Sequence, residues 1–241
     1  MRERLIERLS WDEVAADLAA NRLVIVPIGA FAKEHGRHLP MNTDALTAQA
    51  LALAAAEPLD ALVAPVVGFG HYPAFVRYAG SQSLSPETFG ALLRELLQGL
   101  VEQGARRLLL LNTGVSTERT VDQVALSLTA EPVVRPLVAH LRHLGNDADI
   151  DWRQKGGGHA DARETSLLLA IAPETVRTAR AEPAESTAAE ARKFPLSPYP
   201  DPDAHFSPSG ATGDPTMADA EKGRRLLDAI VDDIVALGRT A

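Results

Sequence analysis

The chain has 241 residues, of which 46% are hydrophobic and 23% charged, a formal net charge of −8 and no cysteine. That acidic balance sets it apart from proteins that hold nucleic acid or anionic membrane through clustered Lys and Arg, and the lack of cysteine excludes disulfides, thiolate catalysis and Cys-ligated zinc. Small molecules are the expected partners, with no nucleic acid and no membrane among them, and any metal must be held by His, Asp and Glu.

The length suits a single α/β domain over residues 1–241. The N-terminal segment is charged and helix-like, without the apolar run of a signal peptide. No stretch reaches the ~18 apolar residues of a bilayer span, so a cytoplasmic location is expected. Ser10 and Glu13 have capping-box spacing and open a short helix to about Ala20. Leu23 to Ile28 is an apolar run that reads as a buried strand, and an Ala/Leu-rich helix from Asp44 to about Ala56 follows. Leu62 to Val67 predicts a second buried strand, behind which Gly68, Gly70, Pro73 and Gly80 mark a long loop. Ser85-Pro86-Glu87 joins a hydroxyl cap, a first-turn proline and a dipole-favoured acid, and the helix it starts runs to Gly104.

Arg106 to Leu111 holds four consecutive leucines, the pattern of a strand buried on both faces by helices. Pro132 to Val138 predicts a fourth strand, and Glu164 to Ile171 a helix after the Gly156-Gly157-Gly158 turn. Between Ala181 and Gly213 periodicity fades into Pro, Ser, Ala and Asp, as in a surface excursion or partner-contacting arm. Leu226, Leu227, Ile230, Val231, Ile234 and Val235 recur at helical spacing in a closing helix from Thr216 to Leu237. The alternation predicts an α/β fold: a three-layer α/β/α domain around a mostly parallel central sheet.

Three groups of residues carry possible chemistry. In Lys33 to Asp44, KEHGRHLPMNTD, the residues Glu34, His35, His38 and Asp44 crowd the end of the first strand. Zn²⁺ and Mn²⁺ take nitrogen and oxygen ligands, and Gly36 and Pro40 let the chain turn back so that His35 and Asp44 meet one ion, with Glu34 as a third donor. A polar loop with backbone-bonded histidines is the alternative, and His38 is read as a hydrogen-bonding residue that orients its neighbours. The second group runs from Gly156 to Ser166. There His159 sits at a helix start with Glu164 little more than a turn later, and an imidazole with a pKa near neutrality suits general acid/base work. The third is Asn112-Thr113-Gly114-Val115-Ser116-Thr117 at the C-terminal end of the third strand, where open α/β sheets bind ligands. Asn112, Thr113 and Ser116 are candidate substrate contacts, as are His71 in the glycine-bounded loop and Trp152, placed to flank a planar ligand.

Together these stretches resemble the creatininase family of metal-dependent amidohydrolases. The family pattern E-x-H-G-P-H-L-P followed by T-D is similar to Glu34 to Asp44. S-L-S-P-E-T-F resembles Ser83 to Phe89, H-A-G-x-x-E-T-S resembles His159 to Ser166, and G-x-x-G-D-P with A-E-K-G resembles Gly210 to Gly223. Lys33 stands where the pattern has its first Glu. Gly114 and Ser116 stand where N-G-H-G-G-N or N-G-H-Y-E-N supplies a His ligand and often an acid. The resemblance implies an amidohydrolase that cleaves a C–N bond of a small cyclic amide or formamide. The departures imply one Zn or Mn ion per chain, on Glu34, His35 and Asp44, with His159 and Glu164 catalytic. A rewired site, or a non-catalytic protein that binds a small molecule or partner, is the alternative. Homo-oligomers, often hexamers, are implied for the assembly.

Overall fold

The computed structural model describes residues 3–128, 134–154, 157–184 and 207–241. Four strands, β1 (Leu23–Ile28), β2 (Leu62–Val63), β3 (Arg107–Asn112) and β4 (Leu137–His140), form one sheet in the order β2-β1-β3-β4. Every pairing in it is parallel, and β1 and β3 run in register from Leu23 opposite Arg107 to Ile28 opposite Asn112.

Alternation along the two central strands divides the core. Val24, Val26, Ile28, Leu108 and Leu110 face one layer, built by α1 (Trp11–Ala19), α3 (Pro86–Glu102) and α4 (Glu118–Leu128), with Leu18, Phe89, Leu93, Leu97, Val121 and Val124 packed on them. Leu23, Ile25, Leu109 and Leu111 face the other, built by α2 (Thr43–Leu59), α5 (Ala162–Ile171) and α6 (Ala220–Gly238) through Leu51, Ala55, Leu167, Leu226, Ile230 and Ile234. The three-layer α/β/α reading of the sequence therefore describes the molecule. The four leucines of β3 are fully buried because each face of the strand has a helical layer of its own.

The differences are local. The second strand is two residues long rather than six, because Pro65 has no N–H to donate; contact with β1 resumes only at an isolated bridge between Val67 and Ile28. The fourth strand starts at Leu137 and runs to His140, two residues beyond the expected end; residues 132–133 of that expectation lie outside the described residues. Helix α4 was not expected, since Asn112 to Thr117 read as a loop without a following element. Of the excursion expected at 181–213, residues 185–206 lie outside the described residues.

Candidate active site

The parallel sheet brings the C-terminal ends of β1 and β3 side by side, so the loop after β1 and the turn after β3 must meet. Thr113 seals the junction: its backbone N–H donates to the Ile28 carbonyl (3.0 Å), and so does its hydroxyl (3.1 Å). The β1–α2 loop, residues 29–42, is then tied down by backbone bonds. Lys33 N–H donates to Met41, Gln82 N–H to Ala32 and Arg177 N–H to His38. Ser81 adds its hydroxyl as acceptor for the Glu34 N–H at 3.0 Å. These bonds hold Lys33, Glu34, His35, His38 and Asp44 in a buried cluster of polar groups.

His35 Nδ1–H donates to the Lys33 carbonyl at 2.9 Å, which leaves Nε2 facing Asp44 Oδ1 at 3.0 Å. Asp44 Oδ2 pairs with the Lys33 ammonium at 2.7 Å, and that ammonium lies 4.9 Å from the centre of the Phe75 ring and 5.6 Å from that of Tyr72. Burial alone would raise the Asp44 pKa, but the Lys33 and His35 charges and hydrogen bonds outweigh it and hold the carboxyl well below the usual range. Glu34 points elsewhere. Its Oε2 meets His159 Nε2 at 3.0 Å and its Oε1 accepts the Gly36 N–H. Burial opposes ionisation there too, yet His159, the Gly36 N–H and His35 keep the carboxyl below its ordinary pKa. His38 Nε2 is 2.8 Å from the Thr165 hydroxyl, and burial pushes its pKa down to about 4, so it is a neutral residue that ties the loop to α5.

The loop before α5 brings His159 in. Asp161 caps the helix by accepting the Glu164 N–H (3.0 Å) and also accepts the Gly158 N–H (2.8 Å), closing the glycine turn around His159. Glu164 Oε2 lies 3.8 Å from His159 Nδ1, beyond hydrogen-bond range. One nitrogen each of His35 and His159 and one oxygen of Glu164 lie within 4.8 Å of one another, a possible metal site. Lys33, Phe75, Thr113, Ser116, His159 and Glu164 are among the residues around a narrow cleft of about 20 Å³, roughly the room that one or two waters need.

The remaining candidates have structural partners. Asn112 donates to Gly114 O (2.7 Å) and accepts the Thr117 hydroxyl (2.7 Å), shaping the turn after β3. The Ser116 hydroxyl donates to the His71 carbonyl (2.6 Å), and His71 Nδ1–H to Leu84 O (2.9 Å), so both brace the loop after β2. Trp152 packs against the α2–α5–α6 layer, with Lys222 Nζ 6.0 Å from its ring centre. Lys33, Tyr72 and Phe75 were missed as site residues. Lys33 could have been suspected from its place in the motif; the two rings come from a segment with no motif of its own.

Buried imidazoles and carboxylates gathered at the C-terminal edge of a parallel α/β/α sheet define the class: a three-layer α/β protein with a candidate site of nitrogen and oxygen donors at the strand ends. The family model described as "Creatininase: Creatinine amidohydrolase" matches residues 7–237. The chain belongs to the creatininase family. It is 32% identical to a mycofactocin precursor peptide peptidase of Mycobacterium ulcerans (strain Agy99), covering 88% of this chain and 83% of that one. It is 26% identical to a creatinine amidohydrolase of Pseudomonas putida, covering 95% and 94%. A crystal structure of creatinine amidohydrolase superposes with a TM-score of 0.82 at 25% identity, covering 100% of this chain and 98% of that one. Creatininase structures titled as Mn and Zn-Zn forms superpose with TM-scores of 0.80 and 0.79.

Proposed function

We propose that the protein is a one-metal amidohydrolase acting on the C–N bond of a small cyclic amide or formamide. The observation that carries the reading is the facing of His35 Nε2 and Asp44 Oδ1 at 3.0 Å. With Nδ1–H committed to the Lys33 carbonyl, Nε2 is the ring nitrogen turned to the Asp44 carboxylate, a place where a proton or a cation can sit between them. His159 and Glu164 supply the further donors. Glu34, ionised and 3.0 Å from His159 Nε2, holds the proton of that imidazole and turns Nδ1 towards Glu164. This makes Glu34 an orienting carboxylate rather than the third ligand, and favours His159 and Glu164 as ligands over proton carriers. Zn²⁺ or Mn²⁺ bound there would polarise the amide carbonyl and lower the pKa of a bound water. Thr113 and Ser116 form the wall against which an amide would lie, and the narrow cleft favours a small substrate.

A non-catalytic binding protein is the second reading, and the Lys33–Asp44 ion pair favours it by neutralising a carboxylate that metal chemistry would use. Elemental analysis of the purified chain separates the two, with Asp44→Ala as the control. One ion per chain, lost in the variant, together with hydrolysis in a screen of cyclic amides, formamides and short peptides, supports the hydrolase. Peptides belong in that screen because relatives at 32% identity are named as peptidases. A metal-free chain without turnover overturns it. The same proposal includes homo-oligomers, hexamers by family resemblance, supported by the exposure of Phe31, Phe69 and Val76 around the site loops. A monomer by light scattering at micromolar concentration would remove that part. A cytoplasmic location is included on the strength of the cysteine-free sequence.

A further inference from the structure

We propose that the Lys33 ammonium is a resident cation standing in for one metal ion of a two-ion centre, so that the site takes no second divalent ion. This deepens the one-metal reading and rests on it for the first ion, with Asp44 shared between that ion and the Lys33 ammonium.

Four observations converge. Lys33 lies two positions before His35, where the family pattern carries a carboxylate, so a ligand has been exchanged for a charge of opposite sign. Its Nζ is 2.7 Å from Asp44 Oδ2, while Oδ1 of the same carboxylate faces His35; the two oxygens thus divide between a fixed cation and a nitrogen donor. The ammonium is also held against two aromatic faces, at 4.9 Å and 5.6 Å, in a setting buried enough for ring attraction to offset part of its lost hydration.

The fourth observation is that the opposite wall has changed with it. Gly114 occupies the position where the pattern has a histidine. A Cβ there would lie 2.7 Å from Thr117 Oγ1 and 3.3 Å from Tyr72 Cε1, so the Tyr72 ring and Thr117 crowd the start of the missing side chain. Ser116, at the acidic position, turns its hydroxyl to the His71 carbonyl. A second divalent ion would find one shared carboxylate, no imidazole and an ammonium already in contact with that carboxylate. The three departures therefore form one compensated change: the positive charge of an ion is retained as a side chain in place of one carboxylate, with two flanking ligands gone as well, so the ammonium is what keeps a divalent ion from the Asp44 oxygen it occupies.

Equilibrium dialysis against Mn²⁺ with metal analysis, run on the full chain and on Lys33→Glu and Lys33→Met, tests this alongside thermal unfolding with and without Mn²⁺. Lys33→Glu is expected to bind one ion per chain more than the parent, and its midpoint to rise with Mn²⁺ by several degrees more. Folding of that variant only when Mn²⁺ is added would support the proposal equally. Should Lys33→Glu not fold at all, Lys33→Met decides, since it keeps the apolar stem between the rings. A larger Mn²⁺-induced rise than in the parent is then expected, and it should vanish when Asp44→Asn is added. Two ions bound by the parent overturn the proposal, and so do folded variants whose ion count and midpoint response match the parent's. A parent that binds no ion sinks the one-metal hydrolase, while the difference between parent and variants still reports on Lys33.

Discussion

His38 shows what burial does to a single side chain in this molecule. Its pKa is about 4 in the folded protein, below the ordinary imidazole value, so folding selects the neutral ring. Above pH ~6.5 both folded and unfolded chains carry it neutral and it contributes no pH dependence. As pH falls from there towards 4 the unfolded chain takes up the proton first, and stability drops. His38→Gln should flatten that limb of the stability–pH curve, as measured by denaturant midpoints between pH 7 and 4. Gly29 is a second single-residue test. A Cβ there would press into the Asp44 backbone and Thr113 Oγ1, at the point where the ends of β1, α2 and β3 meet. Gly29→Ala should cost at least ~1–3 kcal/mol in denaturant unfolding, the range of core overpacking, and should disturb the Asp44 side chain as well.

At the scale of elements, the start of α5 links stability to the site. Asp161 is at once the cap of that helix and the tie on Gly158, and Gln154 Nε2 donates to its Oδ2 at 2.9 Å. Asp161→Ala should cost ~1 kcal/mol as a lost cap. If the proposed ion binds, its affinity should fall as well, because the turn that aims His159 loses its anchor; titrating metal into a variant shown folded by circular dichroism measures this. The elements themselves were legible where local chemistry is strong. Ser85-Pro86-Glu87 marked α3 correctly, with the Ser85 hydroxyl accepting the Thr88 N–H, and the leucine run marked β3. Helix α4 escaped because Ser116 and Thr117, which stand at its start, read as part of a polar turn, and its apolar face, Val121, Val124, Ala125 and Leu128, gains meaning only against α3 and the sheet.

On the scale of the whole molecule, stability rests on two cores that share one sheet, and the site is assembled where the loops leave it. Leu110, fully buried between β1 and the α3–α4 layer, should cost ~2–5 kcal/mol when replaced by Ala. If one divalent ion binds only the folded chain, supplying it at a hundredfold over its dissociation constant should add about 2.7 kcal/mol, and a chelator should remove that gain in a thermal scan.

The sequence by itself determined the layer order, the parallel sheet, the family and the neighbourhood of the site, because hydrophobic period, capping residues and glycine-bounded motifs are local and survive without knowledge of the fold. The partners of each side chain it could not determine. Glu34 was expected beside His35 and Asp44, but the turn at Gly36 directs it to His159, 125 residues away along the chain. Lys33, adjacent to it in sequence, takes the place at Asp44 instead. Which of two neighbouring side chains faces a site depends on the backbone path of the loop, and that path is fixed by bonds from Ser81, Gln82 and Arg177, so only the tertiary structure decided it.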